Sequence, residues 1–232
     1  MPAPVAHTFT ARTVQSLRAL FAAAAALMIT FSSDHSAQVG LAVFSGFAVA
    51  TALVCVLAAW LVAASGNRWP WVLLAAISFI AGVAGGVPMW RSDVLFFVLV
   101  IVWAAATGLV ELIVGIRGRR ARAQGVVSVP GGVADESTRD ALLIGAVGML
   151  LAVVLLVVPV QYALDYSIEG AGDFTLTGIT IAVGLFGGYA AIVAVILGIA
   201  AFSPRTTTPD RADIITEAPA PRAEATDKGG HA

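Results

Sequence analysis

Six apolar stretches, each close to the length a helix needs to cross a bilayer, limit this chain to very few folds. They run from Val14 to Phe31, Val39 to Ala64, Pro70 to Val87, Val94 to Ile116, Ala141 to Val160 and Leu176 to Phe202. A bilayer's hydrocarbon core takes about 20 helical residues to span. It offers no water to peptide groups, so a segment there must satisfy its own backbone, as a helix does. Turn chemistry closes each stretch: "SSDHSAQ", "SGNRWP", "PMWRSD", an arginine segment, "QYALDYSIEGAGDF" and "SPRTTTPD". Pro70 suits a first helical turn, where its missing N–H costs nothing. Ser137 with Asp140 three residues later resembles a capping box opening the fifth helix. The expected fold class is therefore all-α: a polytopic membrane protein with six transmembrane helices.

Composition supports lipid as the solvent. Hydrophobic residues make up 59% of the 232 and charged residues 12%, against about half and about a quarter in soluble domains. A single cysteine, Cys55, allows no intramolecular disulfide. Arg12 and Arg18, ahead of an apolar region, suit a secretory signal, but no A-x-A pattern follows, so the first stretch is read as a retained span. The chain divides into an N-terminal arm (1–12), the six-helix membrane domain (13–203) and a Pro/Ala/Thr-rich tail (204–232). The tail has too little apolar residue to offset its ordering entropy and is expected to be disordered in the cytoplasm. The segment from Arg117 to Arg139 is read as a flexible cytoplasmic connection.

Lysine and arginine counts set the orientation. With both termini cytoplasmic, twelve of the thirteen basic residues fall on the inner side and only Arg91 on the outer. Asp34, Asp93, Asp165, Glu169 and Asp173 lie with Arg91. Arg117, Arg119, Arg120 and Arg122 are topology determinants first. They also form a basic cluster beside a span, of a kind attracted to anionic lipid at about 1 kcal/mol each. The predicted location is the bacterial plasma membrane, and the Ala-rich, Arg-over-Lys composition points to a high-GC, actinobacterial source.

The even-numbered spans share a small-residue pair followed by apolar residues: Ser45-Gly46-Phe47-Ala48, Thr107-Gly108-Leu109-Val110 and Gly187-Gly188-Tyr189-Ala190. Each runs on to an arginine: Arg68, Arg117 or Arg205. This pattern predicts three in–out–in hairpins, spans one with two, three with four and five with six. Gly82 and Gly86, and Gly184 and Gly188, have the small-xxx-small spacing that lets helices approach closely. With Gly108 they are candidates for packing within the chain, the alternative being a homo-oligomer interface.

Six closely spaced helices, the fourth span's ending "TGLVELIVGIRGRR" and the segment "GLFGGYAAIVAVILGIAAFSP" together resemble the HdeD family of small six-span bacterial membrane proteins. The resemblance covers residues 14 to 203. It implies a compact bundle of repeated hairpins and carries over no catalytic residues. The long acidic outer loop and the tail depart from the family pattern.

Chemistry-bearing motifs are sparse. His7, His35 and His231 lie outside the spans, which argues against a haem or an intramembrane metal pair. No phosphate-cradling loop or serine-hydrolase elbow occurs. Asp165, Glu169 and Asp173 are four apart, a spacing open to a divalent cation but read as a solvated acidic loop. No catalytic residue, cofactor, metal or nucleic-acid partner is expected. Glu111 stands out, about 7 Å inside the inner end of the fourth span. An intramembrane carboxylate is by default a functional candidate. Its depth allows snorkelling to the interface or pairing with Arg117 or Arg68 from a neighbouring hairpin, and the plainer reading is an interfacial acid that only orders helices. Three functions remain open: a non-enzymatic structural or stress/envelope protein of HdeD-like type, an accessory subunit of a larger membrane complex such as a respiratory one, and a small transporter or channel.

Overall fold

The computed structural model describes residues 9–63, 68–125, 133–168 and 172–203. Six helices carry almost all of it: α1 (Ala11–Phe31), α2 (Ala37–Leu61), α3 (Trp69–Gly86), α4 (Asp93–Ala123), α5 (Val133–Val157) and α6 (Gly178–Phe202). All six are long and apolar enough to cross a membrane. A short 3₁₀ turn, Pro88–Trp90, links α3 to α4, and two strands, β1 (Ala163–Ile168) and β2 (Gly172–Thr177), stand between α5 and α6. The expected tail, residues 204–232, and most of the N-terminal arm lie outside the described residues.

Local chemistry explains the helix starts. Thr10 Oγ1 accepts from the Thr13 amide and Thr13 reciprocates, opening α1 with a capping box. Ser92 and Thr177 cap α4 and α6 by accepting from the amides of Leu95 and Thr180. Pro70 lies in the first turn of α3. The fifth helix differs from expectation: α5 begins at Val133, four residues before Ser137, so Ser137 is not its cap. At its other end α4 continues through the arginines to Ala123. Its 31 residues reach about 46 Å, well past a hydrocarbon core of about 30 Å. Arg117, Arg119, Arg120 and Arg122 thus ride on a rigid helical extension and not in a flexible connection.

The helices close into a ring in chain order, with α6 packed against α1. Tight and loose neighbours alternate around it: α2 with α3, α4 with α5 and α6 with α1 pack most extensively. The expected hairpin partners, one with two, three with four and five with six, are neighbours too, but through the looser contacts. The small residues account for the alternation. Ser45 on α2 donates to the Gly82 carbonyl of α3 at 2.6 Å. A methyl group on Gly145 of α5 would lie 2.8 Å from the Gly108 carbonyl of α4. One on Gly187 of α6 would lie 2.8 Å from Ile29 of α1. In each case an even-numbered helix spends its small residue on the helix across a tight crossing, and for α6 that helix is α1.

The even-numbered helices also fill the axis. Phe44 and Phe47 of α2, Trp103 of α4 and Phe186 of α6 meet edge to face, with ring centroids 5.3–5.8 Å apart, the arrangement their quadrupoles favour. Tyr189 joins edge-on to Trp103 at 5.8 Å. Outside the ring, Leu20, Phe31, Val72, Phe79, Ile80, Val153, Leu156 and Ile199 are exposed. Such a belt is untenable in water but ordinary against lipid.

The connection between α5 and α6, expected as an acidic outer loop, is an antiparallel hairpin in which Leu164 pairs with Leu176, Tyr166 with Phe174 and Asp165 with Thr175. Thr175 Oγ1 donates to Asp165 at 2.6 Å across the strands. Asp165 and Asp173 share the polar face by register; Glu169 lies outside the described residues.

Candidate functional site: a charge pair on the bundle axis

Glu111 is buried, on the inward face of α4. Its partner is Arg18 of α1: Nη2 donates to Oε1 at 2.7 Å, with the two side chains 13% and 9% exposed. Neither expected partner reaches it. Arg117 is seated over the Trp69 ring, 5.3 Å from its centroid, and the Arg68 Nε donates to the Ala63 carbonyl at 3.3 Å. Both lie on the outer surface of the bundle, whereas Glu111 points to the axis.

The helices bearing the pair are not neighbours in the ring. A short acid or a short base could not join them. The long stems of arginine and glutamate span the gap, and their apolar methylenes pass through the hydrophobic interior while the charges meet. A charge-assisted hydrogen bond of this length is of the strong kind.

Beside the pair is a cavity of about 20 Å³, to which all six helices contribute. That volume suits one water molecule. Besides Arg18, Glu111 and Tyr189, its polar lining includes Thr51 and Cys55 of α2, Ser78 of α3 and Thr107 of α4. Two of these groups are already engaged: Ser78 Oγ accepts from Trp103 Nε1 at 3.2 Å, and Thr107 Oγ1 donates to the Trp103 carbonyl at 2.7 Å. Thr51 Oγ1 is buried without a hydrogen-bond partner among the described residues. The aromatic cluster closes the axis on the side of the cavity toward the β-hairpin end, with Phe47, Trp103 and Tyr189 forming its wall.

Toward the other end, a second polar layer ties α1 to α5 and to the end of α6. Gln15 Nε2 donates to Asp140 of α5 at 3.0 Å, and the Arg12 guanidinium donates to the Ser203 carbonyl at the end of α6. Arg122 donates to Thr138 of α5 at 3.0 Å, while Arg119 and Arg120 are exposed. The predicted packing glycines divide. Gly82 and Gly86 face α2, and Gly108 faces α5, whereas Gly184 and Gly188 face open space. Among the described residues Gly184 and Gly188 therefore meet no neighbouring helix; on α6 that role falls to Gly187. Among the described residues no group of three His, Cys, Asp or Glu side chains is placed to hold a metal ion.

No family model, curated protein or solved structure matches this chain. The site must be read from its own geometry.

Proposed function

We propose that this chain is a non-enzymatic bacterial inner-membrane protein of HdeD-like type, with both termini cytoplasmic. In this reading it serves envelope structure or stress physiology as a bundle locked by a buried ion pair. The Arg18–Glu111 bond carries the proposal. A lone charge in a hydrocarbon interior is costly, and misplaced helices would strand one or both members of the pair. The pair therefore penalises every arrangement except the one joining α1 to α4, which is how a buried polar contact confers specificity more than net stability. The packed aromatic axis and a cavity sized for one water favour a closed bundle over a conduit. Ion and proton flux through proteoliposomes is the test: none above the empty-vesicle rate is expected. Flux that is lost in Glu111→Gln would move the assignment to a small transporter or channel.

The hairpin favours a second reading, an accessory subunit of a larger membrane complex. Leu164 and Tyr166 are exposed on it, although two-stranded ribbons are marginal alone. Gentle detergent extraction with mass spectrometry of co-purifying proteins separates the readings. A stoichiometric partner lost on Tyr166→Ser would support the subunit role.

A further inference from the structure

The three tight helix pairs do not close in the same way. Along α4 and α5 the contact continues toward the arginine-bearing end, since methyl groups on Gly115 and Gly118 would run into Leu142 and Thr138. The pair α6 and α1 is tied there by Arg12 and Ser203. Between α2 and α3 the helices meet closely at Gly82, where a methyl group would lie 2.7 Å from Val49. Toward the arginine-bearing end their contact is made on one side only. Trp71 packs there on the inner side, against Cys55 and Leu74 and against Val54 and Ala58.

On the opposite, exposed side the two helices line a groove of about 610 Å³. Small residues, Ala52, Ala59 and Ala75, form its buried floor, and exposed Val56, Val72 and Phe79 form its walls. From Trp60 back to Ala52 the groove runs eight residues of α2, about 12 Å. One leaflet's share of the hydrocarbon core is about 15 Å, so the groove has the depth of a single leaflet. At its mouth stand Trp60, 74% exposed, and the exposed Arg68. Arg68 forms no ion pair among the described residues. An indole beside a cation at the end of an apolar trough matches the headgroup level of a membrane.

We propose that the α2–α3 groove is a binding site for one anionic phospholipid of the leaflet on the arginine-bearing side. An acyl chain lies on the alanine floor and the anionic headgroup meets Arg68. Charge complementarity selects the ligand: the trough is otherwise apolar, and its one charged residue is a cation at headgroup depth.

The test titrates the delipidated full-length protein with phosphatidylglycerol or phosphatidylcholine and counts bound lipid by native mass spectrometry. One phosphatidylglycerol should bind in preference to phosphatidylcholine. Arg68→Gln should weaken phosphatidylglycerol about fivefold, the equivalent of about 1 kcal/mol for one headgroup contact. It should leave phosphatidylcholine nearly unchanged. Ala76→Leu, which fills the exposed trough without touching the core, should weaken both lipids. Arg119→Gln, at the same end but outside the groove, should do neither. If Arg119→Gln weakens phosphatidylglycerol as much as Arg68→Gln, or if Ala76→Leu leaves binding intact, the site is not the groove and the proposal fails.

Discussion

Replacing Glu111 with glutamine keeps the side chain's shape and removes its charge, which isolates the electrostatic part of the axial pair. Arg18 would then keep its charge in a cavity with room for one water. Removing one member of a buried ion pair costs about 3–5 kcal/mol, most of it the stranded charge. The glutamine carbonyl still accepts a hydrogen bond from Nη2 and returns about 1 kcal/mol. The expected loss is therefore about 2–4 kcal/mol. For a chain of this size that corresponds to a fall in Tm of roughly 5–15 °C, taking about 2–4 °C per kcal/mol. Thermal unfolding of the wild type and the variant in one detergent measures it. Replacing both partners, as Arg18→Met with Glu111→Leu, removes the stranded charge and should restore most of the stability, since apolar substitution of a whole buried pair is often neutral or better. Arg117→Gln is the control: its exposed contact with Trp69 is worth about 0.5–1 kcal/mol. An unchanged midpoint in Glu111→Gln would refute the reasoning, as would a double variant no more stable than the single one.

Gly145→Ala should cost about 1–3 kcal/mol, because the new methyl group would lie 2.8 Å from backbone atoms of α4 and overpacking carries that penalty. Gly184→Ala, facing open space, should melt like the wild type, and equal behaviour of the two would show that the α4–α5 crossing is not tight. Thr51→Val keeps the volume and removes a hydroxyl with no partner among the described residues, so stability, read as Tm, should hold or rise, the gain being at most the roughly 1–3 kcal/mol that an unmet polar group costs. A fall in Tm would mean that the hydroxyl is in use. In a Cys55→Ala background, single cysteines at Ser167 and Gln124 should be distinguished by a membrane-impermeant maleimide on intact cells. Labelling at 167 alone fits cytoplasmic termini, and labelling at 124 alone inverts the topology.

Much of the architecture was legible because bilayer thickness acts on a one-dimensional pattern. A span must be about 20 residues long and apolar throughout, and the six stretches met both conditions wherever their exact ends fell. Pairing is a different kind of information. Ser45, Gly108 and Gly187 were visible as small residues, but which neighbour each would face depends on helix rotation, which a span apolar on all sides does not encode. The same uniformity hid the difference between Gly187, which meets Ile29, and Gly188, which meets nothing. The hairpin was legible and went unread. Leu164, Tyr166 and Ile168 alternate with polar residues, as do Phe174 and Leu176, around a glycine-containing turn, which is the period of a strand. The interleaved acids drew attention to charge and away from that period.

The axial site was half legible, and the missing half shows where charge counting misleads. Glu111 was identifiable because a lone acid inside an apolar run needs a reason. Arg18 was counted with the basic residues that set orientation, a role that treats every arginine near a span's end as equivalent. Depth separates them. Measured from Val14, Arg18 lies four residues inside the first stretch, about 6 Å. Glu111 lies five residues inside the fourth, about 7.5 Å from the same end. The two opposite charges are thus placed at nearly one level in different helices, whereas Arg68 and Arg117 flank their spans and sit at no depth at all. In hydrocarbon an ionised group must find a counter-charge or reach water, and lateral reach is limited to one pair of long side chains. Matching intramembrane charges by depth before assigning any of them to topology would have selected Arg18 as the partner. The bundle in turn explains why the match is made across the ring. On the axis the pair is screened from lipid by all six helices, a shelter that no position between two neighbouring helices offers.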